Sequence, residues 1–192
     1  CVSRVSKRSA AAADTAQKAN MFAKSVEVLT AHQWHRLSNN HWRQTNRERN
    51  IYNELGKSAC DCLAFGCGSG GRLKGYGFMM NRSLADWSAG VDAGLKPVMV
   101  MTAPGPNWAL LRTVSSDMES GAINLPCISE RFGVDVDALT REVTSQWEEA
   151  GLVTRTGDWL VQTVAGQFWH VTLAQLLVDL IGKALRKEAL AA

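Results

Sequence analysis

The residues best suited to chemistry lie at positions 41–71, where arginines, tryptophan and glycines occur close together. Guanidinium groups make strong paired contacts with carboxylates, and an aromatic ring beside them suits a flat ligand. We therefore expect a site for a planar ligand that carries carboxylates, although a solvated loop is the alternative interpretation. The candidate substrate-binding residues are Trp42, Arg43, Arg47 and Arg49.

A cluster of glycines follows a predicted strand at residues 62–65. Backbone without side chains at the end of a strand lets a ligand approach the main chain closely. The spacing also satisfies G-x-G-x-x-G, but residues 72–77 read R-L-K-G-Y-G, a poor start for the helix that dinucleotide binding requires. A structural turn and a backbone-lined pocket for another cofactor are the remaining interpretations. The glycines concerned are Gly66, Gly68, Gly70 and Gly71.

The cysteines do not have the spacing of a metal site. Cys60, Cys62 and Cys67 read C-x-C-x4-C, whereas zinc sites use C-x2-C pairs and radical iron–sulfur clusters use C-x3-C-x2-C. We interpret these cysteines as small buried apolar residues. The histidines near the arginines are interpreted as hydrogen-bonding residues, with haem ligation as the alternative, so no metal site is predicted.

Composition limits the classes of protein to which the chain can belong. Its 192 residues and 46% hydrophobic content are enough for a core. Its net charge of +3 is too small to create a field that attracts nucleic acid or a membrane surface. No apolar run approaches the roughly 20 residues that span a bilayer. No signal-peptide pattern is visible, so a cytoplasmic location is expected. We predict no nucleic-acid partner and no membrane partner.

The elements that must position these residues indicate an α/β (α+β) fold in two parts. Helix is predicted at 10–30 and 84–93, strand at 33–37, 62–65 and 98–101, and a glycine-spaced hairpin or extended arm at 71–80. Pro104, Gly105 and Pro106 indicate a boundary, giving domains 1–103 and 104–192. The second domain is expected to be winged-helix-like. It has helices at 107–120, 128–132 and 138–150, a two-stranded wing at 152–163 and a last helix at 166–185. The helix before the wing is acidic, which argues against DNA binding.

Two motifs resemble those of a known family. Residues 41–53 read H-W-R-x-T-x-R-E-R-N-x-Y-N, and residues 64–71 read A-F-G-C-G-S-G-G. With Thr163-x-x-Gly166-x-Phe168-Trp169, they resemble the radical SAM coproporphyrinogen oxidase-like proteins. The closest branch is that of the anaerobic haem-degrading (haem-utilisation) radical SAM methyltransferases. Ser69 stands where the family usually has alanine.

The resemblance implies a parent enzyme with an incomplete α/β barrel that holds S-adenosylmethionine and a 4Fe-4S cluster, with haem as candidate substrate. This chain would supply the last barrel elements and the C-terminal domain, and would pair with a missing N-terminal barrel half. Because it lacks the cluster motif, we expect it to be inactive alone. The resemblance implies that Ile51, Tyr52 and the backbone near Gly70 lie close to S-adenosylmethionine. With the turn glycines Gly66 and Gly68, these are the candidate cofactor-binding residues.

Other functions remain open. The chain could derive from an oxygen-independent coproporphyrinogen III oxidase, or it could be a non-catalytic haem-binding or trafficking module. Exposed strand edges could also pair two copies into a homodimer.

Overall fold

The computed structural model describes residues 14–58 and 60–191, and it shows a mixed helix and strand fold, as expected. The helices are α1 (Thr15–Ala31), α2 (Ile51–Lys57), α3 (Leu84–Asp92), α4 (Trp108–Ser120), α5 (Leu125–Phe132), α6 (Val136–Glu149), α7 (Val164–Phe168) and α8 (His170–Ala191). The strands are β1 (His35–Ser38), β2 (His41–Arg43), β3 (Gly70–Leu73), β4 (Tyr76–Met80), β5 (Val98–Thr102), β6 (Ala122–Asn124), β7 (Val153–Thr156) and β8 (Trp159–Gln162). The predicted helix start at residue 10 lies outside the described residues.

The strands form three small antiparallel sheets, and the described residues contain no closed barrel. The sheet orders are β1-β2, β3-β4-β5 and β6-β8-β7. Two-residue turns account for the β1–β2, β3–β4 and β7–β8 pairs, because such a turn can join only antiparallel neighbours. At the β3–β4 turn, Lys74 and Gly75 have φ values of 49° and 82°, which is the geometry that closes tight hairpins.

The main hydrophobic core lies in the second half of the chain. It runs from Leu110 to Leu185 and joins α4, β6, α5, α6, β7, β8 and α8. Val114, Val136, Leu177 and Ile181 are completely buried. Helices α4, α5, α6 and α8, strand β6 and the β7–β8 hairpin therefore surround one core.

The N-terminal elements are tied to this core by polar and aromatic contacts. Asn39, in the β1–β2 turn, is buried, and its side chain donates hydrogen bonds to the Met118 carbonyl and to Gln162. The ring of Phe22 on α1 lies 5.9 Å from the ring of Phe168 on α7. The β1–β2 hairpin therefore reaches the part of the chain that carries the core.

Several predicted elements differ from the structure. The strand predicted at 62–65 is wrong, since only Cys62 forms an isolated bridge, to Arg72. Helix α2 and strand β6 were not predicted, because seven and three residues are too few to show a period. The predicted last helix is two helices, α7 and α8, which are separated at Trp169.

The interpretation of the cysteines as buried apolar residues is also wrong in part. Cys60 is exposed, while Cys62 and Cys67 are half-buried. Without a strand at 62–65, alternate positions do not share one covered face. The Cys67 thiol instead donates to the Asn81 carbonyl at 3.2 Å.

Candidate binding cleft

A cleft of about 530 Å³ lies between helix α2 and the β3–β4 hairpin. One wall is backbone, because Gly70 and Gly71 on β3 and Gly77 on β4 have no side chains. Arg72 and Arg112 bring positive charge to the lining. The other lining residues are Tyr52, Asn53, Gly56, Cys62, Phe78, Met79, Val100 and Thr102. A ligand in this cleft would therefore meet bare main chain and guanidinium groups together.

The three glycines of this wall have different reasons to be glycine. A β-carbon on Gly71 would lie 2.6 Å from the Cys62 carbonyl oxygen and 2.6 Å from the Phe78 ring, so Gly71 is required for packing. A β-carbon on Gly77 would meet no atom within 4 Å, and one on Gly70 only the Phe78 carbonyl oxygen at 3.8 Å. Side chains at Gly70 and Gly77 would therefore occupy space that the fold itself does not need.

Arg72 and Arg112 converge on one carbonyl at the end of α2. Arg112 Nη2 donates to the Gly56 oxygen at 2.6 Å, and Arg72 Nη1 donates to the same oxygen at 3.4 Å. The Arg72 guanidinium also lies 5.4 Å from the Trp108 ring centroid. Burial lowers the pKa of Arg112, the charge of Arg72 lowers that pKa further, and Glu119 opposes both effects. The charged forms of these two arginines therefore disfavour each other.

A second cavity of about 480 Å³ adjoins the first through α2. Tyr52 and Asn53 line both cavities. Asn53 Nδ2 lies 3.2 Å from His41 Nε2, and His41 Nδ1 lies 2.8 Å from Ser38 Oγ. This chain of hydrogen bonds fixes α2 against the β1–β2 hairpin. The other lining residues are Leu37, Trp42, Glu48, Asn50 and Ile51.

The structure brings some of the predicted site residues together. Trp42 and Ile51 line the second cavity, Gly70 lines the first, and Tyr52 lines both. Tyr52 and Ile51 are also exposed, at 75% and 48% of their surfaces. These four residues therefore share one region around α2.

The other predicted residues line neither cavity. Gly66 and Gly68 form a turn with φ values of 93° and 71°, and the Gly68 amide donates to the Asn81 carbonyl. Arg47 and Arg49 are exposed, and Arg43 is half-buried. Their binding roles remain predictions.

Trp42 has a structural partner that the sequence did not reveal. The Arg36 guanidinium lies 4.4 Å from the centroid of the Trp42 ring and 5.9 Å from that of Phe22. It also donates to Gln167, and burial lowers its pKa. Arg36 therefore covers one face of the Trp42 ring.

Arg72, Arg112 and Asn53 are among the cleft residues that sequence reasoning did not single out as binding residues. Arg72 had a signal, because it directly follows Gly70 and Gly71. Arg112 had none, since it lies far along the chain in an amphipathic helix. Only the fold places it beside Arg72.

The side chains of the described residues do not fit an iron–sulfur cluster. Within residues 14–58 and 60–191, no group of three histidine, cysteine, aspartate or glutamate side chains lies close enough together to hold a metal ion. The thiols of Cys60, Cys62, Cys67 and Cys127 are free. Among the described helices, none combines the length and the apolar character needed to cross a bilayer.

Comparison with known proteins gives one relative in sequence and one in fold. No family model matches the chain. The chain is 34% identical over 167 residues to anaerobilin synthase from Escherichia coli O157:H7, covering 86% of this chain and 36% of that protein. The structure of coproporphyrinogen III oxidase from Escherichia coli, a radical SAM enzyme, matches 86% of this chain and 42% of its own length, with a TM-score of 0.66 and 13% identity. The chain thus spans well under half the length of either protein. The resemblance inferred from the motifs is confirmed, since the chain is similar in sequence to anaerobilin synthase and in fold to a radical SAM coproporphyrinogen oxidase.

Proposed function

We propose that this chain is part of a radical SAM enzyme of anaerobic haem degradation and utilisation, which methylates and opens haem. Its own contribution is to the binding of S-adenosylmethionine and the tetrapyrrole. The observation that carries the proposal is the cleft of about 530 Å³ with a bare glycine wall and two arginines, in a chain 34% identical to anaerobilin synthase. The adjoining cavity, which Tyr52 and Asn53 share, supplies a second compartment, so cofactor and substrate could lie side by side.

For S-adenosylmethionine, we propose Ile51, Tyr52 and Gly70 as neighbours, with Gly66 and Gly68 shaping the turn before β3. The open space at Gly70 fits a ligand that approaches the main chain. With a reduced 4Fe-4S cluster, S-adenosylmethionine supplies the radical that gives these enzymes their name. The sequence has no C-x3-C-x2-C motif, so the ligands of the cluster would come from a barrel half outside this chain.

For the tetrapyrrole, we propose Trp42 and the arginines Arg43, Arg47 and Arg49. Residues 44–50 connect β2 directly to α2, so Arg47 and Arg49 lie on the segment that leads into the two cavities. Both are exposed and available to a carboxylate. A hydrogen bond to a charged group contributes roughly 1.5–3 kcal/mol.

We also propose the division into a barrel-derived part, residues 1–103, and a winged-helix-like part, residues 104–192. The sheet order β6-β8-β7 with α4, α5 and α6 supports the winged-helix interpretation, and the main core cluster begins only at Leu110. Phe65 is 83% exposed and Leu63 is 50% exposed. These apolar surfaces are where the missing barrel half would pack.

The two alternative functions have less support. Similarity to the coproporphyrinogen oxidase is in fold, at 13% identity, and carries no substrate assignment. A non-catalytic haem-binding module would use the same cleft. A preference for coproporphyrin III over haem would favour the oxidase alternative. Haem binding that does not depend on the missing barrel half would favour the non-catalytic module.

The test is a titration of the chain with haem and with coproporphyrin III, followed by absorbance and tryptophan fluorescence. We expect saturable binding with a preference for haem. Arg47→Ala and Arg49→Ala should each weaken haem binding about tenfold or more. The control is Arg155→Ala, since Arg155 lies on the wing and pairs with Glu148.

Equal haem affinity in the wild type and in the Arg47 and Arg49 variants would remove their carboxylate role. A preference for coproporphyrin III would favour the oxidase alternative. Absence of binding by either porphyrin would contradict the proposed function.

A further inference from the structure

Two cations share one cleft whose lining contains no acidic side chain. The described lining residues include Arg72 and Arg112 and no aspartate or glutamate. Two neighbouring guanidinium groups repel each other, and this repulsion contributes to the lowered pKa of Arg112. An anion between them would relieve it.

The donors of the two arginines are only partly used. A guanidinium group has five N–H donors, and the Gly56 carbonyl accepts one bond from each arginine. The Nε atom of Arg112 is buried and has no hydrogen-bond partner among the described residues. The pair therefore keeps donor capacity beyond its contact with the end of α2.

The contacts with Gly56 and Trp108 hold the pair in place without a ligand. Arg72 is placed by the Trp108 ring and by the backbone pairing of Arg72 with Gly77. Arg112 is placed by α4 and by its 2.6 Å contact with Gly56. A site that exists before the ligand arrives loses less side-chain entropy on binding.

We propose that Arg72 and Arg112 together bind one carboxylate group of the ligand that occupies the cleft. The planar, forked guanidinium group matches a carboxylate with two parallel hydrogen bonds. This deepens the proposed function and rests on it for the identity of the ligand. Both a haem propionate and the methionine carboxylate of S-adenosylmethionine have this chemistry.

The test compares haem with haem dimethyl ester, which has the same ring and no free carboxylates. Both are titrated into the full chain as wild type, Arg72→Gln, Arg112→Gln and Arg112→Lys, with Arg155→Gln as the matched control. We expect the two glutamine variants to weaken haem binding about 10- to 100-fold while the ester is bound almost equally by all. The lysine variant, which keeps the charge, should lie between.

A purely structural role gives a different result. Because Arg112 holds the end of α2, its loss could deform the cleft, and haem and the ester would then weaken by the same factor. That outcome overturns the proposal, whereas unchanged haem binding in both glutamine variants excludes a haem propionate as the carboxylate that the two arginines bind. Circular dichroism checks that each variant is folded. If Arg112→Gln does not fold, haem and its ester are compared with Arg72→Gln alone.

A second measurement separates this proposal from the proposed function. Arginine Nε–H resonances, assigned with Arg72→Lys and Arg112→Lys, are followed while succinate or S-adenosylmethionine is added. Shifts of both resonances with succinate, in a chain that binds neither haem nor its ester, would keep the carboxylate site and reject the tetrapyrrole. Saturation by S-adenosylmethionine without competition from haem would assign the carboxylate to the cofactor. No shift with either compound overturns the proposal.

Discussion

The side chain of Asn39 donates a hydrogen bond to the amide oxygen of Gln162 at 3.0 Å. Both side chains also donate to the Met118 carbonyl, Asn39 at 3.0 Å and Gln162 at 2.8 Å. All of these bonds are buried. One turn of the N-terminal hairpin is therefore joined to α4 and to β8 by a small polar network.

Asn39→Ala should lower the free energy of unfolding by about 1–3 kcal/mol, because it removes two buried hydrogen bonds and leaves the Gln162 amide oxygen without the donor it has in the wild type. Urea unfolding measures the change. Asn40→Ala is the matched control, because Asn40 is exposed in the same turn. Equal stability of the two variants would show that the network contributes nothing measurable.

Gly71→Ala should lower the stability of the chain, whereas Gly77→Ala should lower its affinity for the ligand. The Gly71 variant should lose about 1–3 kcal/mol of stability, because the new methyl group overlaps the Cys62 carbonyl and Phe78. The Gly77 variant should remain as stable as the wild type and weaken ligand binding, because its methyl group enters the cleft. Thermal unfolding and haem titration of the two variants check this. Normal haem binding by Gly77→Ala would mean that the ligand does not reach this wall.

Asp117→Asn should stabilise the chain at neutral pH. Burial raises the pKa of Asp117, while the charge of Arg131 lowers it. When the folded-state pKa is the higher one, the folded state binds more protons between the two values, and stability falls as pH rises through that window. The advantage of the variant should therefore be full at pH 7 and disappear as the pH falls below the ordinary aspartate pKa of about 3.9. Melting temperatures from pH 3 to pH 7 test this, with Asp92→Asn on exposed α3 as control. A variant less stable than the wild type at pH 7 would contradict it.

Strand β5 should let two copies of the chain associate. It lies at the end of the order β3-β4-β5, and Met99, Val100 and Met101 are 48%, 49% and 65% exposed. An exposed apolar edge strand is a template for pairing, and a lysine opposes it. Light scattering should detect a dimer in the wild type and a smaller dimer fraction in Met101→Lys. A monodisperse wild-type monomer would reject edge pairing.

Glycine and proline made most of the hairpins and helix ends predictable. The β3–β4 hairpin, the β7–β8 wing and the end of α3 before Gly94 agree with the structure to within one or two residues. In each case a glycine has a positive φ: Gly75 in the hairpin, Gly157 in the wing and Gly94 after α3. Local backbone preference is sufficient there.

The elements that sequence reasoning missed depend on tertiary contacts. Helix α2 has only seven residues and includes Gly56, so it has little intrinsic preference for helix. Its position is set by contacts of Asn53 and Gly56 with distant parts of the chain. Single-sequence patterns contain no information on such contacts.

Only part of the glycine wall of the cleft was predictable, since Gly66 and Gly68 line neither cavity, and its charges were not. Gly70 was expected beside a ligand and does line the cleft. The arginines expected there were chosen for their nearness in sequence, whereas the cleft is lined by Arg72 and Arg112. Gly166, one of the residues behind the family resemblance, is explained by packing, because a β-carbon there would clash with the Leu152 carbonyl.

Helix α1 rests on the molecule without a single buried residue. Its aromatic contacts are those of Phe22 with Phe168 and with Arg36. A fluorescent dye or spin label attached at an outward position such as Lys18 would therefore leave the hydrophobic interior untouched. α1 is thus a ready position for a reporter group in the titrations that the cleft requires.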